Sequence, residues 1–131
     1  MLEPPQDLLE KARQTLKHAY VPYSHFPVGA ALKSSSGTIY TGVNIENISF
    51  GLTNCAERTA IFTAIASGER EFDALVIIGE TNEPIAPCGA CRQVMVEFFK
   101  PDMPIWLTNT AGKTVQTDIS QLMPGAFDSL T

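Results

Sequence analysis

Two stretches of this sequence decide its fold: NCAER at residues 54–58 and PCGACRQ at residues 87–93. Apolar residues recur at helical spacing after each stretch, which predicts helices over residues 55–67 and 89–99. Between these helices, the apolar run at residues 75–78 is typical of a strand that is buried on both faces. Both stretches are therefore predicted to lie where a helix begins after a loop.

The segments on either side extend this helix–strand–helix unit. Gly68 stands where a glycine commonly ends a helix. Further elements are predicted as a helix at residues 7–19, a β-hairpin of strands 28–33 and 38–45, strands at 105–108 and 114–117, and a helical turn at 118–122. Helices that alternate with apolar strands predict an α/β fold, a single-domain mixed β-sheet with helices on both faces over residues 1–131.

The composition limits the partners of the chain. It has 131 residues, of which 44% are hydrophobic, and a net charge of −5. We therefore expect one globular domain with a small-molecule partner and no nucleic acid, since nucleic acid binding requires clustered positive charge. The sequence shows neither a signal-peptide pattern nor an apolar stretch of membrane-spanning length, so we expect no membrane partner and a cytoplasmic location.

The three cysteines, Cys55, Cys88 and Cys91, cannot all pair within one chain. In a reducing compartment, such cysteines favour metal binding or catalysis over a disulfide. The start of a helix stabilises a thiolate, because its unpaired N–H groups carry partial positive charge. Zinc prefers four ligands, so either water completes a catalytic site or a histidine completes a structural one. His25 is a candidate for that histidine, whereas His18 is predicted to be solvated.

A carboxylate follows the first cysteine, since Glu57 lies two residues after Cys55. Alone, an acid at the start of a helix is expected to complement the helix dipole. Together with the PCGAC stretch, it matches the zinc-dependent nucleobase deaminases, in which a Cys-x-Glu and a Pro-Cys-x-x-Cys motif supply zinc ligands and a general acid and base. The joint pattern predicts a catalytic zinc site whose fourth position is open.

Four blocks of sequence carry a closer resemblance. They are residues 23–32, 42–47, 55–60 and 87–93, and the likeness extends from residue 18 to residue 127. Over this range the chain resembles the short, homotetrameric, zinc-dependent cytidine deaminases. The resemblance implies a cytidine deaminase-like fold, a Zn²⁺ cofactor, and hydrolysis of free cytidine and deoxycytidine to uridine, deoxyuridine and ammonia, a reaction of pyrimidine salvage.

The resemblance assigns the zinc ligands and the catalytic group. It implies that Cys55, Cys88 and Cys91 bind zinc. Glu57 would take a proton from the attacking water, pass it to N3 of the ring and then protonate the departing amine. Arg58 would donate to cysteine sulfurs, and a physical argument supports this role, because three thiolates on one Zn²⁺ leave a negative charge that needs an offset.

The resemblance also implies a nucleoside-binding site. Asn44 and Glu46 correspond to ribose ligands, and Phe26 to a ring that stacks on the pyrimidine. The N–H of Ala56 would hold the O2 carbonyl of the base, and Phe127 would complete the pocket from a neighbouring subunit of a homotetramer with shared active sites. Without the family match, Asn44 and Glu46 would be interpreted as turn residues and Phe26 as core packing.

Two positions depart from the family pattern, and other functions compete with this interpretation. Phe50 stands where the family commonly has tyrosine, and His25 where another basic residue is common. The blasticidin-type deaminases share the metal motif, but the ribose pair Asn44 and Glu46 argues against them. Nucleotide and tRNA deaminases usually have histidine in place of the first cysteine. A zinc-stabilised nucleoside-binding protein without catalysis is the non-enzymatic alternative.

Overall fold

The computed structural model describes residues 3–131, which form one mixed β-sheet with helices around it. The strands are β1 (Val28–Ser34), β2 (Ile39–Val43), β3 (Phe72–Gly79), β4 (Ile105–Asn109) and β5 (Thr114–Thr117). Their order in the sheet is β2-β1-β3-β4-β5. β3 and β4 are parallel and the other neighbours are antiparallel, which confirms the predicted mixed sheet.

Helices cover both faces of the sheet, as predicted. They are α1 (Gln6–Thr15), α2 (Ala56–Ala66), α3 (Gly89–Phe98) and the short α4 (Ile119–Leu122). Leu8 and Ala12 of α1 pack in one buried cluster, whereas α2, α3 and α4 contribute to a second cluster on the opposite face. Both metal-motif helices therefore lie on the same side of the sheet.

The central strand β3 is buried on both faces, which confirms the prediction from its continuous apolar run. Leu75 and Ile77 belong to the cluster under α2 and α3, and Val76 and Ile78 to the cluster under α1. None of these four side chains is exposed. At roughly 1.5–3 kcal/mol for each fully buried aliphatic side chain, β3 contributes much of the burial that holds the two layers together.

Three predicted boundaries differ from the observed ones by two or more residues. The predicted helix at residues 7–19 is α-helical only to Thr15, because a 3-10 turn follows at Leu16–His18. After this turn the chain changes direction, and the Tyr20 N–H donates to the Asn44 carbonyl (3.0 Å). β2 ends at Val43, two residues early, because Ile45 pairs instead with Tyr20 and Asn54 in isolated bridges. β3 begins at Phe72 rather than residue 75, since β1 pairs with it that far.

Both cysteine motifs lie at helix starts, as predicted. Cys55 is the N-cap residue of α2 and Cys88 is the N-cap residue of α3. At the other end of α2, Gly68 has a positive φ of 98°. Its N–H donates to the Ile65 carbonyl (3.0 Å) and the Glu69 N–H donates to the Ala64 carbonyl (3.1 Å), which is the hydrogen-bond pattern of a helix closed by a left-handed glycine.

A second glycine lets α2 approach the sheet closely. A Cβ atom at Gly42 of β2 would lie 2.4 Å from the Ala56 carbonyl oxygen and 2.5 Å from the Ala60 nitrogen. Only a residue without a side chain fits against this helix backbone. The first turn of α2 is therefore fixed on β2 at the point where the cysteine motif begins. Among residues 3–131, no helix is long and apolar enough to cross a bilayer.

Candidate active site

Three cysteine sulfurs converge where α2 and α3 begin. The Sγ atoms of Cys55 and Cys88 are 3.8 Å apart, those of Cys88 and Cys91 are 3.6 Å apart, and all three lie within 4.8 Å of one another. A tetrahedral zinc ion with Zn–S bonds of about 2.3 Å places its sulfur ligands about 3.8 Å apart. The triangle of sulfurs therefore has the size that zinc requires.

The fourth zinc ligand is not supplied by this cluster. Within the described part of the chain, no histidine or carboxylate oxygen joins the three sulfurs at ligand distance from all of them. His25 lies in an exposed loop with a positive φ of 56°, where its N–H donates to the Val21 carbonyl (3.0 Å). The geometry thus favours a site with three protein ligands over the structural alternative with three cysteines and a histidine.

The surroundings of the thiols favour a negative charge on Cys55. Hydrogen bonds from Cys91 and then Arg58 lower the pKa of Cys55 to about 5, although burial acts in the opposite direction. The pKa of the Cys91 thiol is raised, because it bonds to the Cys55 sulfur and is buried. These hydrogen bonds favour the thiolate at Cys55, and a divalent cation would be needed to hold all three sulfurs as thiolates.

Glu57 lies in the first turn of α2 and is almost completely buried, with 4% of its surface exposed. Burial raises the pKa of this carboxyl to about 7, and the negative charge of Cys55 adds to the effect. A carboxyl whose pKa lies near neutrality can both accept and donate a proton under physiological conditions. The same residue in an exposed first turn would stay ionised and serve only the helix dipole.

Arg58 brings positive charge to the sulfurs. Its Nη2 donates to the Cys55 Sγ at 3.3 Å, and this bond raises the pKa of the guanidinium. Its Nε atom is buried and has no hydrogen-bond partner among residues 3–131. A guanidinium in this position offsets part of the negative charge that three thiolates leave on a bound divalent cation.

The two predicted ribose residues hold the loop that contains Phe26. The Asn44 Nδ2 donates to the Phe26 carbonyl (2.7 Å), and its Oδ1 accepts from the Val28 N–H (3.0 Å). Glu46 accepts from the N–H groups of Tyr23 (3.0 Å) and Ser24 (3.1 Å) and from the Ser24 hydroxyl. The Ser24 hydroxyl is the main cause of the lowered pKa of Glu46.

The other predicted binding residues differ in exposure. Phe26 has 45% of its surface exposed, which leaves its ring accessible rather than in the core. Ala56 is buried. In the first backbone hydrogen bond of α2, the Thr59 N–H donates to the Cys55 carbonyl (3.0 Å), and the Ala56 N–H lies before this bond along the chain. Phe127 is 69% exposed, and its carbonyl accepts from the Gln93 Nε2 (2.8 Å). The cleft of about 340 Å³ beside Phe127 contains none of the three cysteines.

Several contacts of the site were not predicted from the sequence. The bonds of Ser24 to Glu46 and of Gln93 to Phe127 join residues 22 and 34 positions apart, so no local pattern indicates them. Tyr23, Ser24 and Glu46 also line a cleft of about 420 Å³ with Phe50 and Thr53. Residues 23–32 and 42–47 both match the same family pattern. This match was the one sequence signal that the two segments act together.

Comparison with known proteins agrees with this geometry. Residues 2–106 match the family model described as the cytidine and deoxycytidylate deaminase zinc-binding region. The chain belongs to this deaminase family. The cysteine cluster of this deaminase therefore binds zinc, which confirms the expected cofactor. The expected cytidine deaminase-like fold is also confirmed.

Similar proteins cover almost the whole length of this deaminase. It is 51% identical over 122 residues to the cytidine deaminase of Sporosarcina psychrophila, which covers 93% of this chain and 90% of the relative. The crystal structure of cytidine deaminase from Burkholderia pseudomallei is similar with a TM-score of 0.92 and 50% identity, over 95% of this chain and 100% of that one. The blasticidin-S deaminase of Bacillus cereus is more distant, at 32% identity over 126 residues, or 90% of this chain and 88% of the relative.

Proposed function

We propose that this chain is a zinc-dependent cytidine deaminase that hydrolyses free cytidine and deoxycytidine to uridine, deoxyuridine and ammonia. The observation that carries the proposal is a buried carboxyl, Glu57, in the first turn of the helix that begins at the cysteine cluster, where three sulfurs are spaced for zinc. A structural zinc site would need a fourth protein ligand and would have no use for a carboxyl with a pKa near neutrality. The proposal treats residues 1–131 as one deaminase domain.

The metal would be held by Cys55, Cys88 and Cys91, with the Arg58 guanidinium as a charge offset. The spacing of the sulfurs and the 3.3 Å contact from Arg58 to the Cys55 sulfur support this arrangement. When bound, zinc supplies Lewis-acid activation of the attacking water. The two helix starts add partial positive charge at the same point, which favours the thiolate form of the ligands.

Glu57 would carry the proton through the reaction. It accepts a proton from the attacking water and delivers it to N3 of the pyrimidine as the C4–O bond forms. It then takes a second proton from the new C4 hydroxyl and transfers it to the amine, so that the C4–N bond breaks, the C4 carbonyl forms and ammonia leaves. Burial holds the pKa of this carboxyl above its usual range, which suits a group that must both accept and donate a proton.

The nucleoside would lie between the Phe26 loop and the start of α2. Phe26 stacks on the pyrimidine, the Ala56 N–H donates to O2, and Asn44 and Glu46 bind the ribose. The half-exposed ring of Phe26 and the bonds that fix its loop to Asn44 support this assignment. A carboxylate and an amide placed to bind sugar hydroxyls select nucleosides over free bases, because a free base offers them no hydroxyl.

The active form would be a homotetramer in which Phe127 reaches the active site of a neighbouring subunit. Ile48, Phe50 and Leu52 have 75%, 72% and 71% of their surfaces exposed, and we call this group the apolar loop surface. Contiguous exposed apolar residues are unusual on a monomer and commonly mark an interface. We also propose a cytoplasmic location, since a reducing compartment keeps the three cysteines available for zinc.

The test is the conversion of cytidine by the zinc-loaded protein. The wild type should release uridine and ammonia in equal amounts, with much less turnover of free cytosine. Glu57→Gln should lower the rate by at least about 10²-fold without loss of zinc, because a neutral amide cannot transfer the proton. Glu10→Gln removes a carboxylate from α1 and serves as the matched control. No uridine from the zinc-loaded wild type would reject the proposal and favour a binding protein without catalysis.

A further inference from the structure

The guanidinium of Arg92 joins two segments that are distant in sequence. Arg92 lies in the first turn of α3, where its Nε donates to the Pro87 carbonyl at 2.8 Å. Its Nη1 donates to the carbonyl of Leu122, the last residue of α4, at 2.9 Å. One half-buried side chain thus connects the loop before α3 to the C-terminal segment of the protein.

Arg92 contacts the main chain on both sides of a zinc ligand. Its guanidinium binds the carbonyl of Pro87, immediately before Cys88, and its backbone N–H donates to the Cys88 carbonyl itself (3.0 Å). The backbone bond would form with any residue at position 92, since it is the first hydrogen bond of α3. The bond to Pro87 depends on the arginine side chain, and it fixes the peptide unit that orients Cys88.

Of the three cysteines in the cluster, Cys88 depends most on a backbone that is held in place. Cys91 is buried inside α3, and Cys55 is half-buried and contacts Arg58, whereas Cys88 is exposed. Its sulfur nevertheless lies 3.8 Å and 3.6 Å from the other two. An exposed residue at the end of a loop keeps such a position only if its backbone is held, because side-chain burial does not restrain it.

We propose that Arg92 is a positioning residue for Cys88, which holds the zinc ligand through the Pro87 carbonyl while α4 anchors the other end of the guanidinium. The proposal rests on the zinc site of the proposed function but not on the identity of the substrate. It differs from the role of Arg58, which contacts a ligand sulfur directly. None of its bonds reaches Phe26, Asn44 or Glu46, so metal retention is the property that Arg92 would affect most directly.

The test measures zinc release from the zinc-loaded protein into a chelating dye, without substrate. Arg92→Ala should release zinc about tenfold faster than the wild type, at the lower end of the range for residues that support metal ligands. Arg70→Ala is the matched control, because Arg70 also donates to two main-chain carbonyls at a helix end, those of Ile65 (3.0 Å) and Glu69 (2.7 Å). It should release zinc at the wild-type rate.

A conservative variant keeps the test decisive if Arg92→Ala does not fold. Arg92→Lys retains the charge but cannot present two donors to Pro87 and Leu122 in the same planar geometry, so its release rate should be intermediate. With cytidine as substrate, turnover per protein should fall in proportion to the zinc lost. Wild-type release rates in the arginine-92 variants, or equally fast release from Arg70→Ala, would overturn the proposal. Altered release without any cytidine turnover would instead reject the proposed function and leave the positioning role intact.

Discussion

Arg58 and Glu57 are neighbours in one helical turn, yet their surroundings give them opposite tasks. Glu57 is buried, which raises its pKa towards neutrality, whereas Arg58 stays charged against the Cys55 sulfur. Burial allows the carboxyl to exchange a proton near neutral pH, while the guanidinium places positive charge beside the Cys55 sulfur. A carboxyl and an arginine at these positions on an exposed helix would form only an ordinary polar first turn.

At the residue scale, we predict that Arg58→Ala weakens zinc binding by about 10- to 100-fold, as is typical for residues that support metal ligands. The loss of the donor at 3.3 Å leaves the charge of the thiolates without its main offset. Competition with a chelator of known affinity measures the effect. Arg13→Ala, which removes an exposed arginine from α1, is the control. Equal zinc affinity in Arg58→Ala and the wild type would show that the helix starts alone suffice.

At the scale of elements, the position of the active site depends on how α2 meets β2. Gly42 allows the backbone of α2 to lie directly on the strand, and Cys55, Ala56 and Glu57 begin at this contact. The chemistry of the first turn therefore depends on a residue that carries no functional group.

We predict that Gly42→Ala displaces the start of α2 and costs about 1–3 kcal/mol, the usual penalty for overpacking. Its Cβ would lie 2.4 Å from a backbone oxygen that cannot rotate away. Thermal unfolding should show a lower Tm, and zinc content should fall because Cys55 moves with the helix. Gly51→Ala adds the same methyl where no atom of the same chain lies within 4 Å and should leave the zinc content unchanged. A wild-type Tm and zinc content in Gly42→Ala would contradict this account.

The turn between β1 and β2 is stabilised by a carboxylate that follows α2. Glu69 accepts from the hydroxyls of Ser36 (2.7 Å), Tyr40 (3.0 Å) and Ser34 (3.1 Å), and the Ser36 bond is the main cause of its lowered pKa. A folded pKa below the unfolded value of 4.5 means that the ionised form stabilises the fold. This contribution is present above pH 4.5 and is lost as the pH falls through the folded value.

We therefore predict that the Tm difference between the wild type and Glu69→Gln is largest near pH 7 and shrinks as the pH falls below 4.5. Protonated glutamic acid and glutamine are both neutral, so the two proteins converge in acid. Glu71→Gln, which removes a neighbouring exposed carboxylate, controls for acid effects elsewhere in the chain. A Tm difference that stays constant across this range would show that Glu69 acts through packing rather than charge.

The elements that could be predicted are those fixed by local pattern. The predicted helices at residues 55–67 and 89–99 agree with α2 and α3 within one residue at each end, because caps and apolar spacing lie within the segment itself. The order of the strands could not be predicted, since it depends on pairing between distant segments. The hydrogen bonds of Arg92 to Pro87 and Leu122 could not be predicted for the same reason. The three cysteines, in contrast, lie close together as the motif predicted.

At the scale of the whole molecule, one chain presents both the three cysteines of the metal cluster and exposed aromatic rings. The metal cluster forms within residues 55–91, whereas Phe26 and Phe127 are accessible to other molecules. A chain of 14.2 kDa with the apolar loop surface exposed gains stability if copies of itself cover that surface. Assembly would then also decide whether the substrate pocket is complete.

We predict a mass in solution of four times 14.2 kDa. Leu52→Asp places a charge in the apolar loop surface and should yield smaller species with a higher KM for cytidine and unchanged zinc content. Light scattering after size-exclusion chromatography, combined with kinetics, measures both effects. Glu80→Asp, a conservative change at an exposed residue outside this surface, is the control. A monomeric wild type with full activity would show that the neighbouring subunit is not needed.

The central claim is that zinc in this protein has three sulfur ligands from the chain and a fourth position that no side chain fills. Zinc K-edge X-ray absorption of the zinc-loaded wild type tests it most directly. We predict three sulfur neighbours at about 2.3 Å, one light neighbour at about 2.0 Å, and no imidazole signature. Four sulfur neighbours, or three with a bound histidine, would contradict the account, because a closed site leaves no place for the attacking water.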